Sequence, residues 1–211
     1  MVISNNLWDD YDILDRFTKH PLRLLRFKLY DVITTGKHAN EFLASRSLES
    51  HDLTNNYLEE IDFRRNLIIL IREPKERLIS GLAQEWCDLF WDTFIKARLQ
   101  NDVTLISYSF NDFIKKTLLD TNCRHDPTHV APWLHMAIKI KAISREKTLV
   151  IDFKDLNALL SRLEIQNTTN NFISFIDHKN LSINFDKEIN DMINYFLRYE
   201  NKHYNFLLRT K

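Results

Sequence analysis

Two short segments carry residue types suited to holding anions. In the first, Gly36-Lys37-His38-Ala39-Asn40, a glycine lets the chain turn and Lys37 adds a point charge. The amides of His38, Ala39 and Asn40 would point outward if a helix begins there, and unpaired amides at a helix start attract negative groups. In the second, Arg72, Lys75, Arg77 and Ser80 gather around Pro74. Arginine offers a planar fork to phosphate oxygens, and serine adds a hydroxyl donor. His51, between the two segments, is a candidate general base, because a neutral imidazole with a reference pKa of ~6.5 can accept a proton near neutrality.

Elements that could position these groups are legible around them. Asn66-Leu-Ile-Ile-Leu-Ile71 is short, apolar and rich in β-branched residues, the pattern of a strand covered on both faces. It stops at Arg72-Glu73-Pro74, and proline suits the first turn of a helix, predicted here to run to about Gln100. Phe27–Ile33 reads as a strand leading into Thr34-Thr35-Gly36, with a helix from His38 carrying Phe42 and Leu43. Ser109 reads as the N-cap of a helix with Phe113, Ile114, Leu118 and Leu119. Pro132 opens another helix reaching Ser144, and Thr148–Ile151 is a third strand followed by a helical Leu159, Leu160, Leu163 pattern. Leu7, Tyr11, Leu14 and Phe17 predict an early helix, and Asp186 to about Arg209 a long closing one. Strands alternating with helices predict one α/β domain over residues 1–211, with helices on both faces of a short, mostly parallel sheet.

Composition narrows the chemistry. The chain of 211 residues has only two glycines, Gly36 and Gly81, which cannot form the clustered glycines of a dinucleotide turn or a Walker A loop. Twenty-nine basic residues balance 29 acidic ones, so no basic field for nucleic acid is expected. Cys87 and Cys123 lie far apart, giving neither a disulfide framework nor a cysteine zinc site. His125 and His129 flank Asp126 without a third or fourth ligand at a metal-site spacing, so no metal is expected. The start, with Asp9, Asp10, Asp12 and Asp15 and no apolar run, leads to the expectation of a cytoplasmic protein without membrane attachment.

The second anion segment, Leu70-Ile-Arg-Glu-Pro-Lys-Glu-Arg-Leu-Ile-Ser-Gly81, resembles the Arg-Asp-Pro-x-x-Arg-x-x-Ser element that binds the 3′-phosphate of 3′-phosphoadenosine 5′-phosphosulfate (PAPS) in sulfotransferases, with Glu73 standing for Asp. Gly36-Lys-His-Ala-Asn-Glu-Phe-Leu43 is similar to that family's 5′-phosphosulfate loop, keeping the lysine but not the hydroxyls. His51, 21 residues before Arg72, falls where several members place a general base. Asp126-Pro-Thr-His129 resembles an Asp-Pro-His segment of the carbohydrate-directed, Golgi-type members. Val150-Ile-Asp-Phe-Lys-Asp-Leu156 is similar to their strand with Tyr-Glu-Asp-Leu, and Asn194–Phe206 to their closing helix.

The resemblance implies a helix-rich, three-layer α/β/α fold of the P-loop-like sulfotransferase kind. It implies PAPS as donor and a hydroxyl-bearing carbohydrate or small metabolite as acceptor. Arg72 and Ser80 would hold the 3′-phosphate. Gly36, Lys37, His38, Ala39 and Asn40 would form the phosphosulfate loop, with Lys37 meeting the charge that grows on the leaving oxygen and His51 taking the acceptor's proton. The alternative is a non-catalytic relative that keeps the 3′-phosphoadenosine pocket as a binding module, since Asn40 and Glu41 replace hydroxyls and a carboxylate repels phosphosulfate.

Overall fold

The structure is a computed structural model and describes residues 22–35, 40–54, 56–89, 103–119, 132–165 and 185–209. Its strands are β1 (Leu22–Arg26), β2 (Tyr30–Thr35), β3 (Glu49–Asp52), β4 (Asn66–Ile71) and β5 (Thr148–Asp152). Its helices are α1 (Asn40–Ala44), α2 (Tyr57–Glu60), α3 (Pro74–Leu89), α4 (Val103–Leu119), α5 (Leu134–Ser144), α6 (Leu156–Arg162), α7 (Lys187–Phe196) and α8 (Arg198–Arg209). Together they make an α/β fold around one five-stranded sheet in the order β3-β1-β2-β4-β5.

The sheet is mixed where a mostly parallel one was expected. β2 pairs with β4, and β4 with β5, in parallel, whereas β1 runs antiparallel to both β2 and β3. The reason is a tight hairpin: the Phe27 amide donates to the Tyr30 carbonyl at 2.8 Å, so the segment read as one strand from Phe27 is a turn followed by β2. β1, Leu-Arg-Leu-Leu-Arg, lacks the β-branched residues that mark a strand, and β3, Glu-Ser-His-Asp, is exposed throughout with no apolar alternation.

Burial follows the pleat, because successive side chains on a strand point to opposite faces. Leu22, Leu24, Ile33, Leu67, Ile69, Ile71 and Val150 pack on one face with Trp133, Leu134, Ala137 and Ile140 around α5 and with Tyr204 and Leu207 of α8. Leu25, Val32, Ile68, Leu70 and Ile151 pack on the other with Leu43 of α1 and Leu159 and Leu160 of α6. β4 is thus covered on both sides, as its uninterrupted apolar run requires. A further core lies among helices: Leu78, Leu82 and Trp86 of α3 meet Phe110 and Ile114 of α4 and Ile189 and Ile193 of α7, with the Trp86 and Phe110 rings tilted at 5.8 Å.

Helix boundaries correct two expectations. Ser109 lies inside α4 and does not cap it. The predicted closing helix is two helices, broken at Leu197, the first capped by the Asp186 carboxylate accepting from the Ile189 amide at 2.8 Å. Gly81 lies within α3, is buried and has an ordinary negative φ, so it serves no turn. The early helix and residues 90–100 of the long one lie outside the described residues. Among the described residues no helix is long and apolar enough to cross a membrane.

At the amino end of the sheet, Asp31 is fully buried and accepts from the Arg65 guanidinium at 2.8 Å, with the Arg26 Nε at 3.5 Å. Arg65 also donates to the Phe27 carbonyl at 2.6 Å. One buried carboxylate therefore ties the hairpin to the entry of β4.

Candidate functional site

Because β2, β3, β4 and β5 all point one way, their carboxyl ends, Thr35, Asp52, Ile71 and Asp152, lie along one sheet edge. In open α/β sheets that edge is where ligands bind. β2 and β4 are neighbours, paired in parallel from Tyr30 and Asn66 to Ile33 and Ile69, so the two segments follow adjacent strands. Gly36, Lys37, His38 and Ala39 lie outside the described residues. Asn40 begins α1.

Arg72 is the cation at the end of β4. Its side chain is 17% exposed, its Nε stands 3.8 Å from the Glu76 carboxylate, and its guanidinium lies over the Phe153 ring at 5.0 Å. Burial lowers its pKa, and the nearby Glu76 and Glu73 carboxylates oppose that shift. Glu73 is held in place, because its carboxylate accepts from the Glu76 amide at 2.7 Å. That bond caps α3, with Pro74 in the first helical position where a missing N–H costs nothing. One of the amides that would meet an anion at this helix start is therefore already taken by a carboxylate of the chain itself.

The other cations of the segment point elsewhere. Lys75 donates to the Asn190 side chain at 3.0 Å, joining α3 to α7. Arg77 is buried, at 2% exposure, and is attracted by the equally buried Glu200 of α8; burial pulls the guanidinium down to about 10. The Glu200 carboxylate accepts from the Trp133 and Leu134 amides and so caps α5. Burial pushes Glu200 up, against the pull of Arg77 and those two amides. Ser80 follows Arg77 by one turn on the same flank of α3 and is half-buried.

A second buried pair supports this corner. Asp152, the last residue of β5, accepts from the Tyr204 hydroxyl and, at 3.0 Å, from the Lys154 amide. The second bond fixes the tight turn Phe153–Asp155, which carries the ring against Arg72. Burial first, and then the hydrogen bond to Asp152, raise the Tyr204 pKa, so the phenol stays a donor. Beside it, burial and Lys202 lower the His203 pKa; its Nδ1 is 3.9 Å from Glu200.

His51 lies opposite Leu24 on β3, the outermost strand on its side of the sheet, and is exposed. Three strand spacings, roughly 14 Å, separate its backbone from β4, and two from β2. Asp52, next to it, faces the other side and pairs with Arg23 at 2.6 Å, so it does not orient the imidazole. The structure thus makes the strands that precede the two anion segments neighbours and sets His51 apart from them.

Three residues near the site were not singled out from sequence: Glu200, Tyr204 and Asp152. Glu200 and Tyr204 do leave a trace, since Leu197, Glu200, Tyr204 and Leu207 recur at spacings of three and four, an acid and a phenol on a buried stripe. Asp126 and His129 lie outside the described residues. Among the described residues no group of three or more His, Cys, Asp or Glu side chains is placed to hold a metal ion. No family model, no curated protein and no solved structure matches the chain.

Proposed function

We propose that this chain binds PAPS across the carboxyl ends of β2 and β4 and transfers its sulfuryl group to a hydroxyl of a carbohydrate or small metabolite. The observation that carries the reading is the parallel, in-register pairing of β2 with β4, which makes the strands that precede the lysine segment and the arginine segment neighbours. A nucleotide with a phosphate at each end needs anion donors at two separate points along such an edge. In this reading the β2-β4-β5 core is a divergent form of the P-loop-like sulfotransferase fold, with the β1 hairpin and β3 added at one side. The setting is cytoplasmic, where two widely spaced cysteines stay reduced.

Arg72 and Ser80 hold the 3′-phosphate. Lys37, with the amides after Gly36, meets the charge that develops on the oxygen between phosphorus and sulfur. The acceptor oxygen attacks sulfur in line as the bond from sulfur to the bridging oxygen breaks; 3′-phosphoadenosine 5′-phosphate (PAP) leaves with that electron pair, and the acceptor proton passes to His51. For His51 to reach it, the acceptor lies over β1 and β2.

A second reading, a non-catalytic protein that keeps the nucleotide pocket, is favoured by one observation, the exposed position of His51 two strands from β2. Calorimetric titration with PAP, repeated on Arg72→Ala, Ser80→Ala and Lys37→Ala, tests both. Loss of a charged hydrogen-bond donor predicts a weakening of about ten- to a hundredfold for Arg72→Ala. Absence of binding at millimolar PAP refutes both readings. Binding without transfer of labelled sulfate from PAPS to a panel of hydroxyl acceptors, and without an effect of Lys37→Ala, selects the second.

A further inference from the structure

Arg72 has an acidic neighbour that the nucleotide reading does not use. Glu76 sits one turn into α3, four residues after Arg72, with its carboxylate 3.8 Å from the Arg72 Nε and half of its side chain exposed. The two partners differ in their freedom. Arg72 is largely buried and rests against Phe153, whose turn is fixed through Asp152 and Tyr204. Glu73 is held by its bond to the Glu76 amide. The Glu76 side chain is half exposed, and its closest recorded approach to Arg72 is a long one, 3.8 Å to the Nε. Such i,i+4 pairs are weak, so the carboxylate swings away at little cost.

We propose that Glu76 is a built-in competitor for Arg72 that sets how tightly the pocket holds a 3′-phosphate. It neutralises the guanidinium in the ligand-free protein, and a ligand must displace it. Only a ligand whose anionic group reaches Arg72 bears that cost, so Glu76 weakens the hold on a 3′-phosphate and leaves nucleotides without one unaffected. This inference rests on the nucleotide reading given above.

The test compares Glu76→Gln with the wild type by calorimetry, using PAP and, as the ligand without a 3′-phosphate, adenosine 5′-phosphate. Gln keeps the shape and removes one negative charge beside a site for a dianion. With the screening of a half-exposed position, the expected gain is about three- to tenfold in PAP affinity. Adenosine 5′-phosphate is expected to be unaffected, and Arg72→Ala/Glu76→Gln to bind PAP no better than Arg72→Ala. PAP binding by the wild type that Glu76→Gln leaves unchanged or weakens overturns this inference alone, as does an equal gain for adenosine 5′-phosphate. Failure of both proteins to bind PAP overturns the nucleotide reading and this inference with it.

Discussion

Arg77→Met removes a buried charge that attracts the buried carboxylate of Glu200. Arg77 is 2% exposed and Glu200 3% exposed, so neither is rescued by water in the native state. Met has a similar length and no charge, and the variant leaves Glu200 in the core without that attraction, still accepting from the Trp133 and Leu134 amides. Removing one of two buried, mutually attracting charges is expected to cost about 1–3 kcal/mol. For a protein near this size each kcal/mol lowers Tm by about 2–4 °C, so the expected loss is about 2–12 °C. Arg77→Met/Glu200→Gln removes both charges and keeps an amide oxygen to accept from the two backbone donors. It is expected to recover part of that loss, a coupling of about 1 kcal/mol. Urea unfolding followed by the fluorescence of Trp86 and Trp133, both buried, measures each variant. A single variant within about 0.5 kcal/mol of wild type, or a double variant whose loss is the sum of those of Arg77→Met and Glu200→Gln, would refute the attraction. Arg77 would then return to the list of ligand-binding cations.

Arg65→Ala strips the closest partner from fully buried Asp31 and leaves it the longer Arg26 contact; a loss of about 2–4 kcal/mol in urea unfolding is expected, and one below about 1 kcal/mol would contradict a structural role. Tyr204→Phe tests pH dependence. The Tyr204 pKa is raised in the folded protein, so the native state keeps a proton that the unfolded chain loses; its stabilisation is full below the unfolded value of about 10 and fades as pH rises above it. Tyr204→Phe is expected to show a shallower fall in Tm between pH 9 and pH 11 than wild type, and an identical slope would remove Tyr204 from the alkaline transition.

The parts of the fold that were legible are those where one residue must satisfy local preference and burial together. β4 is apolar and β-branched because both faces are covered, and β5 follows the same rule at Val150 and Ile151. α5 and α6 begin and end within a few residues of where their patterns suggest. β1 and β3 were not legible. β1 buries leucines, which fit a helix as well as a strand, and β3 is held by main-chain pairing, which leaves no mark on side-chain type: it aligns Glu49 with Arg26 and Asp52 with Arg23, charges of ordinary surface polarity. The hairpin, in turn, changes the direction of one strand and so makes the sheet mixed.

The site was legible in place more than in membership. A cation after an apolar strand, followed by proline, marks the carboxyl end of β4 wherever the rest of the chain goes, and Arg72 is found there. Membership fails on the helix that follows, because a face lining a pocket and a face buried against another helix share one period. Glu73, Arg77 and Ser80 are spaced by four and three, which puts them on one flank of α3 in either case. What separates the cases is the group opposite. For Arg77 one such group is Glu200, 123 positions later in the chain, itself fixed by the α5 amides and buried like the guanidinium it attracts. Arg72 keeps some exposure at the strand end, with half-exposed Glu76 and the Phe153 ring beside it. Of two arginines five positions apart, then, the one that keeps a way to solvent at the carboxyl end of the sheet is the one placed to meet a ligand.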